Sequence, residues 1–427
     1  MSSSRPPLSI AIIGAGIGGI TLSIALSLHT SFKITIYESR PSFSEIGAGV
    51  GFGPNAFRAM RLISPSISDA YDKVKTANRW PEKDHVWFDI RSGLTDEGDL
   101  ITESASEKGF THCGASRAQF LDELVKLIPE SVEIKFGKKV VDVQQVDEGT
   151  MKIIFQDGEE AVGNAVVGCD GIRSVCRTIM LGTDDAASRA VYSGKYAYRK
   201  VVPMEKAVSV VGKEMENRQI FVGHGGHILM FPIRNGAAVN FVIFRDSNGL
   251  LWTDKNWVIP SSRDELLRDY EGWGRKASQI LGLIDNPEKW ALFNHQPAST
   301  YAKGNFCILG DAAHASTPHC GAGAGFAIED AHLLAGLLTP DLVSSAKDVQ
   351  YAFQAYDQYR RPRSQELVER SREQGRLLDL QKPDGSCVSH EELRESVQDN
   401  MKWVWEVDLV DMLNNSRARF REFQRYP

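Results

Sequence analysis

Three short runs carry residue types that could do chemistry. Gly14-Ala15-Gly16-Ile17-Gly18-Gly19 is a GxGxxG lying between two apolar stretches. Gly14 permits a tight turn, Gly16 lets a phosphate reach the backbone, and Gly19 lets a helix sit close on a strand. The helix that follows would offer unpaired N–H groups and its positive dipole end to a pyrophosphate. Glu38 stands about 20 residues further on, where a carboxylate accepts from both ribose hydroxyls and disfavours a 2′-phosphate. The nucleotide so specified is NAD or FAD rather than NADP. The second run is Gly168-Cys169-Asp170-Gly171-Ile172-Arg173-Ser174, and the third is Gly310-Asp311-Ala312-Ala313-His314. Each sets an aspartate at the end of an apolar stretch, where α/β sheets place ligand-contacting groups, or where a turn needs a cap.

The elements that must position these runs are readable from periodicity. Residues 8–13 (LSIAII) read as a buried parallel strand, 17–29 as a helix apolar nearly all round, and 33–37 (KITIY) as a second strand, together one βαβ unit. Ser116 is placed to cap a helix over 116–128. Strand patterns follow at 132–136, 139–146, 151–155 and 161–167, with Asp157-Gly158 as a hairpin signal. The apolar strand 165–169 closes on Asp170-Gly171. From Tyr196 to Arg245, β-branched and aromatic runs with glycine turns predict an antiparallel sheet inserted between parts of the first domain. Residues 305–309 return to the buried-strand type, then a glycine-rich loop (321–325) leads into a helix from about 326 to 338. Residues 347–422 read as mainly helical and charged, with Pro362 a kink or a start.

The 427 residues are 42% hydrophobic and 24% charged, which excludes disorder for most of the chain. A net charge of −6 offers no large basic surface to nucleic acid or anionic membrane. Cys113, Cys169, Cys176, Cys307, Cys320 and Cys387 form no CxxC pair, which argues against zinc and a disulfide framework. His224 and His227 in GHGGH have no third ligand cluster beside them, so no metal is expected. The apolar run Leu8–Leu28 is long enough to span a membrane, but its clustered glycines fit strand, turn and helix better. The opening MSSSRPPLS lacks a secretory n-region and the closing FQRYP is no retention or peroxisomal signal, so a cytoplasmic location is expected.

In this order the three runs resemble the motifs of the flavoprotein aromatic hydroxylases, single-component FAD monooxygenases typified by para-hydroxybenzoate hydroxylase. The second run looks like that family's DG motif and the third like its GD motif. The salicylate hydroxylase branch is closer still. It shares the run Glu45-Ile46-Gly47-Ala48-Gly49-Val50-Gly51 with Gly53-Pro54-Asn55-Ala56, the pair Tyr198-Arg199, and a PHxGAGAG segment, here Pro318-His319-Cys320-Gly321-Ala322-Gly323-Ala324-Gly325. The resemblance covers residues 8 to about 375. It implies an α/β fold in which a GR2-type Rossmann-like FAD-binding domain (1–185 and 286–345) carries an inserted antiparallel-sheet substrate domain (186–285). A C-terminal helical region (346–427) follows.

The resemblance implies FAD held by Gly14, Gly16, Gly19 and Glu38 at the adenosine and pyrophosphate. Asp311 would bond the ribityl chain or pyrophosphate, and Arg117 would neutralise phosphate unless it forms a surface ion pair. Gly51 would approach through its backbone N–H. Gly323 and Ala324, in the 321–325 loop, would aim N–H groups at the pyrimidine edge of the flavin, the alternative being a plain packing loop. NAD(P)H, with no Rossmann site of its own, would bind transiently over the flavin near Asp170 and Arg173. O2 would then add to give a flavin hydroperoxide whose terminal oxygen attacks an electron-rich aromatic ring.

Arg199 is expected to pair with a substrate phenolate or carboxylate, or else to form a structural salt bridge, with Arg234 as runner-up. His319 would assist deprotonation, hold the substrate hydroxyl, or pack as a neutral ring, and His314 would bond within its own turn. Two departures bear on the substrate. Phe231 stands where many relatives carry tyrosine before Pro232, and Cys320 and Phe326 replace two glutamines of PHQGAGAGQ. Both make the pocket less polar and suit a bulkier phenol. The expected activity is hydroxylation of a phenolic acid or phenol, with salicylate-like oxidative decarboxylation as one outcome. The alternatives are hydroxylative dearomatisation of a fungal polyketide phenol, a flavin epoxidase, and a flavin-binding module without chemistry. Monomer and homodimer both fit.

Overall fold

The strand Ser9–Ile13 lies within a six-stranded sheet, flanked in parallel by Lys33–Tyr37 and by Ala165–Gly168. Ile12 pairs with Ile36 on one side and Val167 on the other. Glu133–Lys135 extends the sheet beyond Lys33–Tyr37, and Phe306–Ile308 extends it in parallel beyond Ala165–Gly168. Only the edge strand Ala302–Lys303 is antiparallel. The central strands are buried on both faces, which is why their sequences are unbroken apolar runs rather than alternations. The computed structural model describes residues 7–29, 32–43 and 49–426.

The helix Ile17–His29 is apolar on all sides because the sheet covers one face and the helix Gly323–Leu337 covers another. The run Leu8–Leu28 is therefore strand, turn and helix, and among the described residues no helix is long and apolar enough to cross a membrane. Ser116 caps Arg117–Val125 by accepting the Gln119 N–H. The hairpin at Asp157-Gly158 joins Thr150–Phe155 to Glu160–Gly163 in a three-stranded sheet with Val140–Asp147.

The second large sheet has eight strands, in the order Val258–Pro260, Glu288–His295, Ala190–Pro203, Ala238–Asp246, Gly226–Ile233, Gln219–Gly223, Val86–Ser92 and Leu100–Ala105. The inserted sheet expected over 186–285 thus also draws strands from 86–105 and from 288–295. The reason is a long-range pairing: Val86–Ser92 runs parallel to Gln219–Gly223, and no local periodicity encodes that contact. A small sheet of Gly49–Phe52, Cys113–Ser116 and Lys75–Ala77 lies against the strand Gly226–Ile233.

Two further elements differ from expectation. The helix expected from 326 starts at Gly323, its glycines having masked the first turn. Pro362 neither starts nor stops a helix, since Ala346–Leu378 runs through it. The residues around Pro362 hold the helix in place. Arg360 donates to Asp330 Oδ1 and to Glu329 Oε2, both at 2.7 Å, and Arg363 donates to Glu329 at 3.0 Å. Asn55 donates to Glu329 at 2.7 Å. Asp330 Oδ2 accepts the Gly310 N–H at 2.9 Å and lies 2.6 Å from His314 Nε2. His314 is thus bonded to a later helix rather than within its own turn. Burial would raise the Asp330 pKa, but the charges of His314 and Arg360 outweigh it and hold the carboxyl at about 2.

Arg360→Met would leave two buried carboxylates without the arginine they share. Stability should fall by about 3–5 kcal/mol, read from denaturant midpoints at pH 7. A folded-state pKa below the unfolded value gives stability that is complete above about pH 4 and lost as pH falls toward 2. The gap between wild type and variant should therefore narrow in acid, and an unchanged midpoint at pH 7 would contradict this reading.

Candidate active site

Because Ser9–Ile13, Ala165–Gly168 and Phe306–Ile308 are parallel, the turns that follow them leave one edge of the sheet, so all three motifs meet there. Gly14 has φ +104°, and a Cβ on it would come 2.5 Å from the Cys169 carbonyl oxygen. A Cβ on Gly19 would come 2.1 Å from the Gly14 carbonyl oxygen. These two glycines are demanded by the chain's own contacts. A Cβ on Gly16 would meet nothing within 4 Å. Gly16 therefore faces open space at the N-terminus of Ile17–His29, as a pyrophosphate would require. Glu38 closes the mouth of this turn, its Oε2 accepting the Ala15 N–H and its Oε1 the Arg40 N–H, both at 2.8 Å.

The DG aspartate is occupied. Asp170 accepts from Ser174 Oγ and from the N–H groups of Val175 (2.8 Å) and Cys176 (3.0 Å), capping Val175–Leu181. Arg173 is exposed and stacks 4.1 Å over Trp257. The buried Arg177 ties the backbone carbonyls of Ala187, Gln296 and Ala312 together, and burial lowers its pKa to about 10.

A cavity of about 220 Å³ opens between this edge and the face of the eight-stranded sheet. It gathers seven of the residues singled out from sequence: Gly51, Arg117, Arg199, Asp311, His319, Gly323 and Ala324. Gly14, Gly16, Gly19 and Glu38 stand outside it at the glycine turn. Glu45, Ile46, Gly47 and Ala48 lie outside the described residues. Gly310, at φ +64°, turns the chain so that Asp311 faces the cavity at the head of a short helix. Gly323 and Ala324 form the first turn of Gly323–Leu337, whose N–H groups have no partner within the helix. A Cβ on Gly323 would touch nothing closer than 3.8 Å, whereas one on Gly325 would come 2.9 Å from Ala56. Gly323 leaves room for a ligand; Gly325 serves packing.

Sheet register builds the roof. Arg199 is paired with Val242, and Val242 with Leu229; one pleat along, Asn240 is paired with Phe231. Directly opposed residues share a face, so this set looks into the cavity, while Tyr198, Phe241 and Ile243 pack on the other side. Arg199 stacks 4.7 Å from the Trp290 ring, its Nε is buried without a partner, and no carboxylate among the described residues pairs with it. Burial, then the Arg117 charge, lowers its pKa to about 10. Arg234, the runner-up, is exposed in the turn after Gly226–Ile233 at φ 54° and is not part of the cavity.

His319 is buried with both ring nitrogens unpartnered, 4.9 Å from Phe244 and 5.3 Å from His227. Burial holds its pKa well below the usual histidine value, so the ring is neutral. Behind it, His227 Nδ1 lies 2.6 Å from Asp379, which also pairs with Lys195. His227 thus belongs to a polar chain rather than to a metal pair with the exposed His224. Of the substitutions noted in the sequence, Phe231 lines the cavity. Cys320 is buried outside it, and Phe326 packs under Arg363 and Trp403. Only Phe231 makes the cavity wall less polar. Sequence reasoning missed Trp87, Arg218 and Asn240, isolated residues without a motif around them.

A family model described as "FAD binding domain" matches residues 8–371. The chain belongs to this family. Proteins similar to it include 6-methylsalicylate 1-monooxygenase atA of Aspergillus terreus, 39% identical over 94% of this chain and 90% of that protein. A salicylate hydroxylase of Pseudomonas putida is 35% identical over 98% and 97%. The solved structure "Salicylate hydroxylase substrate complex" superposes with a TM-score of 0.85 at 31% identity, over 97% of this chain and 98% of that one. The expected fold, FAD as cofactor and a flavin monooxygenase as enzyme class are borne out. The open side of Gly16 and the free helix N-terminus at Gly323 fit such a group.

His112, His295, His319 and His332 are each held below the usual histidine pKa by burial. The unfolded chain takes up protons on them below about pH 6.5 while the folded chain does not, so their stabilisation is complete above that pH and is lost in acid. The thermal midpoint should fall steadily from pH 7.5 to 5, with a shallower fall in His332→Gln. A flat profile would contradict neutral buried imidazoles.

Proposed function

We propose that the protein hydroxylates a phenol or phenolic acid, taking electrons from NAD(P)H and one oxygen atom from O2. Salicylate-type oxidative decarboxylation is one outcome. The observation that carries this reading is Arg199, a cation with a buried, unpartnered nitrogen that shares one cavity with the helix N-terminus at Gly323. When bound, FAD supplies the reduction by NAD(P)H and the activation of O2. Gly14, Gly16 and Gly19 hold the pyrophosphate against the helix Ile17–His29, and Glu38 exchanges its bond to Ala15 for the ribose hydroxyls. Arg117 balances phosphate charge, Asp311 takes hydroxyls of the ribityl chain, and Gly51 offers its N–H. The N–H groups of Gly323 and Ala324 favour negative charge at the pyrimidine edge of the ring system.

Arg199 lowers the pKa of a substrate phenol and keeps its ring electron-rich. His319, neutral and shut away from water, takes or steadies the phenolic proton, with His227 and Asp379 behind it. The nicotinamide approaches near Arg173 and Trp257, while Asp170 acts through the turn it caps. Supporting a reducing, cytoplasmic location are six cysteines, all free. We take the functional division as an FAD-binding part (1–185 and 286–345), a substrate part (186–285, joined by 86–105) and the C-terminal helices, in a monomer or homodimer. The apolar Phe231 favours, as a second reading, dearomatising hydroxylation of a larger polyketide phenol.

NADH oxidation in air by the yellow holoprotein should rise strongly with salicylate, yielding catechol and carbon dioxide in equal amounts. Stimulation without catechol would mark salicylate as a pseudo-substrate and favour the second reading. Arg199→Gln should cost about 2–5 kcal/mol in kcat/KM for a phenol. Undiminished turnover in that variant would support alkene epoxidation, which needs no phenolate, and would contradict the proposal.

A further inference from the structure

Arg218 is a buried charge to which the proposed chemistry assigns no role. It is 2% exposed, lies in the cavity wall, and pairs with no carboxylate among the described residues. Its Nε donates to the Trp87 carbonyl at 2.9 Å, and its guanidinium sits 4.1 Å from the Trp87 ring and 4.7 Å from the Phe88 ring. This clamp fixes the plane of the fork, yet Nη1 is buried with no partner. The neighbours on the small sheet are glycines. A Cβ on Gly51 would come 3.0 Å from Nη2 and one on Gly114 3.4 Å from Nη1, so no side chain there answers the cation. Two strands away, across Phe231, Asn240 is also 2% exposed, faces the same cavity, and its Oδ1 is unpartnered. Two buried polar groups, both unsatisfied and both in one ligand cavity, are costly unless a ligand satisfies them.

Arg218 precedes the strand Gln219–Gly223, three strands across the sheet from the one bearing Arg199. At about 4.8 Å per strand the two backbones are roughly 14 Å apart. Their side chains therefore mark opposite ends of one cavity, with Leu229, Phe231 and Val242 as the apolar wall between them. We propose that Arg218 and Asn240 form a second oxygen-binding subsite, which holds a carbonyl or carboxylate oxygen on the side of the substrate ring away from Arg199. Arg218 donates to that oxygen, and Asn240 serves the hydroxyl next to it. The preferred substrate is then an aromatic ring with oxygen functions at both ends. This rests on the reading of the cavity as an aromatic substrate site.

The test compares 2,4-dihydroxybenzaldehyde with resorcinol, which differ only in the carbonyl group. Binding to oxidised holoprotein is followed by the change in flavin absorbance, without NADH. Wild type should bind the aldehyde about 10- to 100-fold more tightly. Arg218→Met should reduce that ratio toward one, and Asn240→Leu should weaken both ligands alike, with FAD content unchanged in each. A ratio near one in wild type, a ratio retained in a folded Arg218→Met, or undiminished binding of both ligands to Asn240→Leu overturns the subsite. Should Arg218→Met not fold, the wild-type ratio and Asn240→Leu decide. Discrimination in binding with no NADH oxidation for any phenol would leave the subsite standing and refute hydroxylation. Turnover of both rings without discrimination would refute the subsite alone.

Discussion

Arg360 reaches from the long helix Ala346–Leu378 into a place that water does not enter and closes on two adjacent carboxylates, Asp330 and Glu329. Asp330 in turn holds the Gly310 N–H and His314, and so fixes the turn that presents Asp311. Glu329 holds Asn55, on the helix that follows the strand of Gly51. One ion cluster therefore sets the relative placement of the GD turn, the helix whose first turn holds Gly323, and the strand carrying Gly51. A buried cluster of this kind adds little net stability over an apolar one, but losing one member is expensive. The cluster instead ties three ligand-facing segments to one another.

The cavity beyond that cluster is rich in cations. Among the described residues, Arg117, Arg199 and Arg218 face it, against the one carboxylate of Asp311. Burial lowers the pKa of Arg199 and of Arg218 to about 10, yet both remain charged near neutrality. Such a field favours phosphate, phenolate and carboxylate groups over neutral rings, although the chain as a whole is acidic. Floor and roof differ in kind. The floor offers backbone N–H groups and glycines; the roof offers side chains fixed by sheet register.

The parts legible in the sequence are those whose signal is local. Ser9–Ile13, Lys33–Tyr37 and Ala165–Gly168 are buried on both faces and so read as apolar runs, and Gly14 and Gly19 stand where a Cβ would collide with backbone, while Gly16 leaves open space. The rest depends on distant pairing. Arg218 faces the cavity because Val86–Ser92 pairs in parallel with Gln219–Gly223, bringing Trp87 beneath it. Arg234, the runner-up to Arg199 in the sequence, is carried out to the surface by a left-handed turn. Phe326 looked like a pocket residue, yet Arg363 and Trp403 of the C-terminal helices claim it. Pro362 read as a kink or a start, yet it lies inside one helix, beside the cluster that anchors it.

Insertion of one atom of O2 into an activated aromatic ring is read directly by turnover of a phenol under ¹⁸O2 with mass spectrometry of the product. A product carrying a single ¹⁸O atom is expected, with NADH consumed in equal amount. A product without ¹⁸O, or NADH consumed with all the oxygen appearing as hydrogen peroxide for every phenol offered, would contradict it.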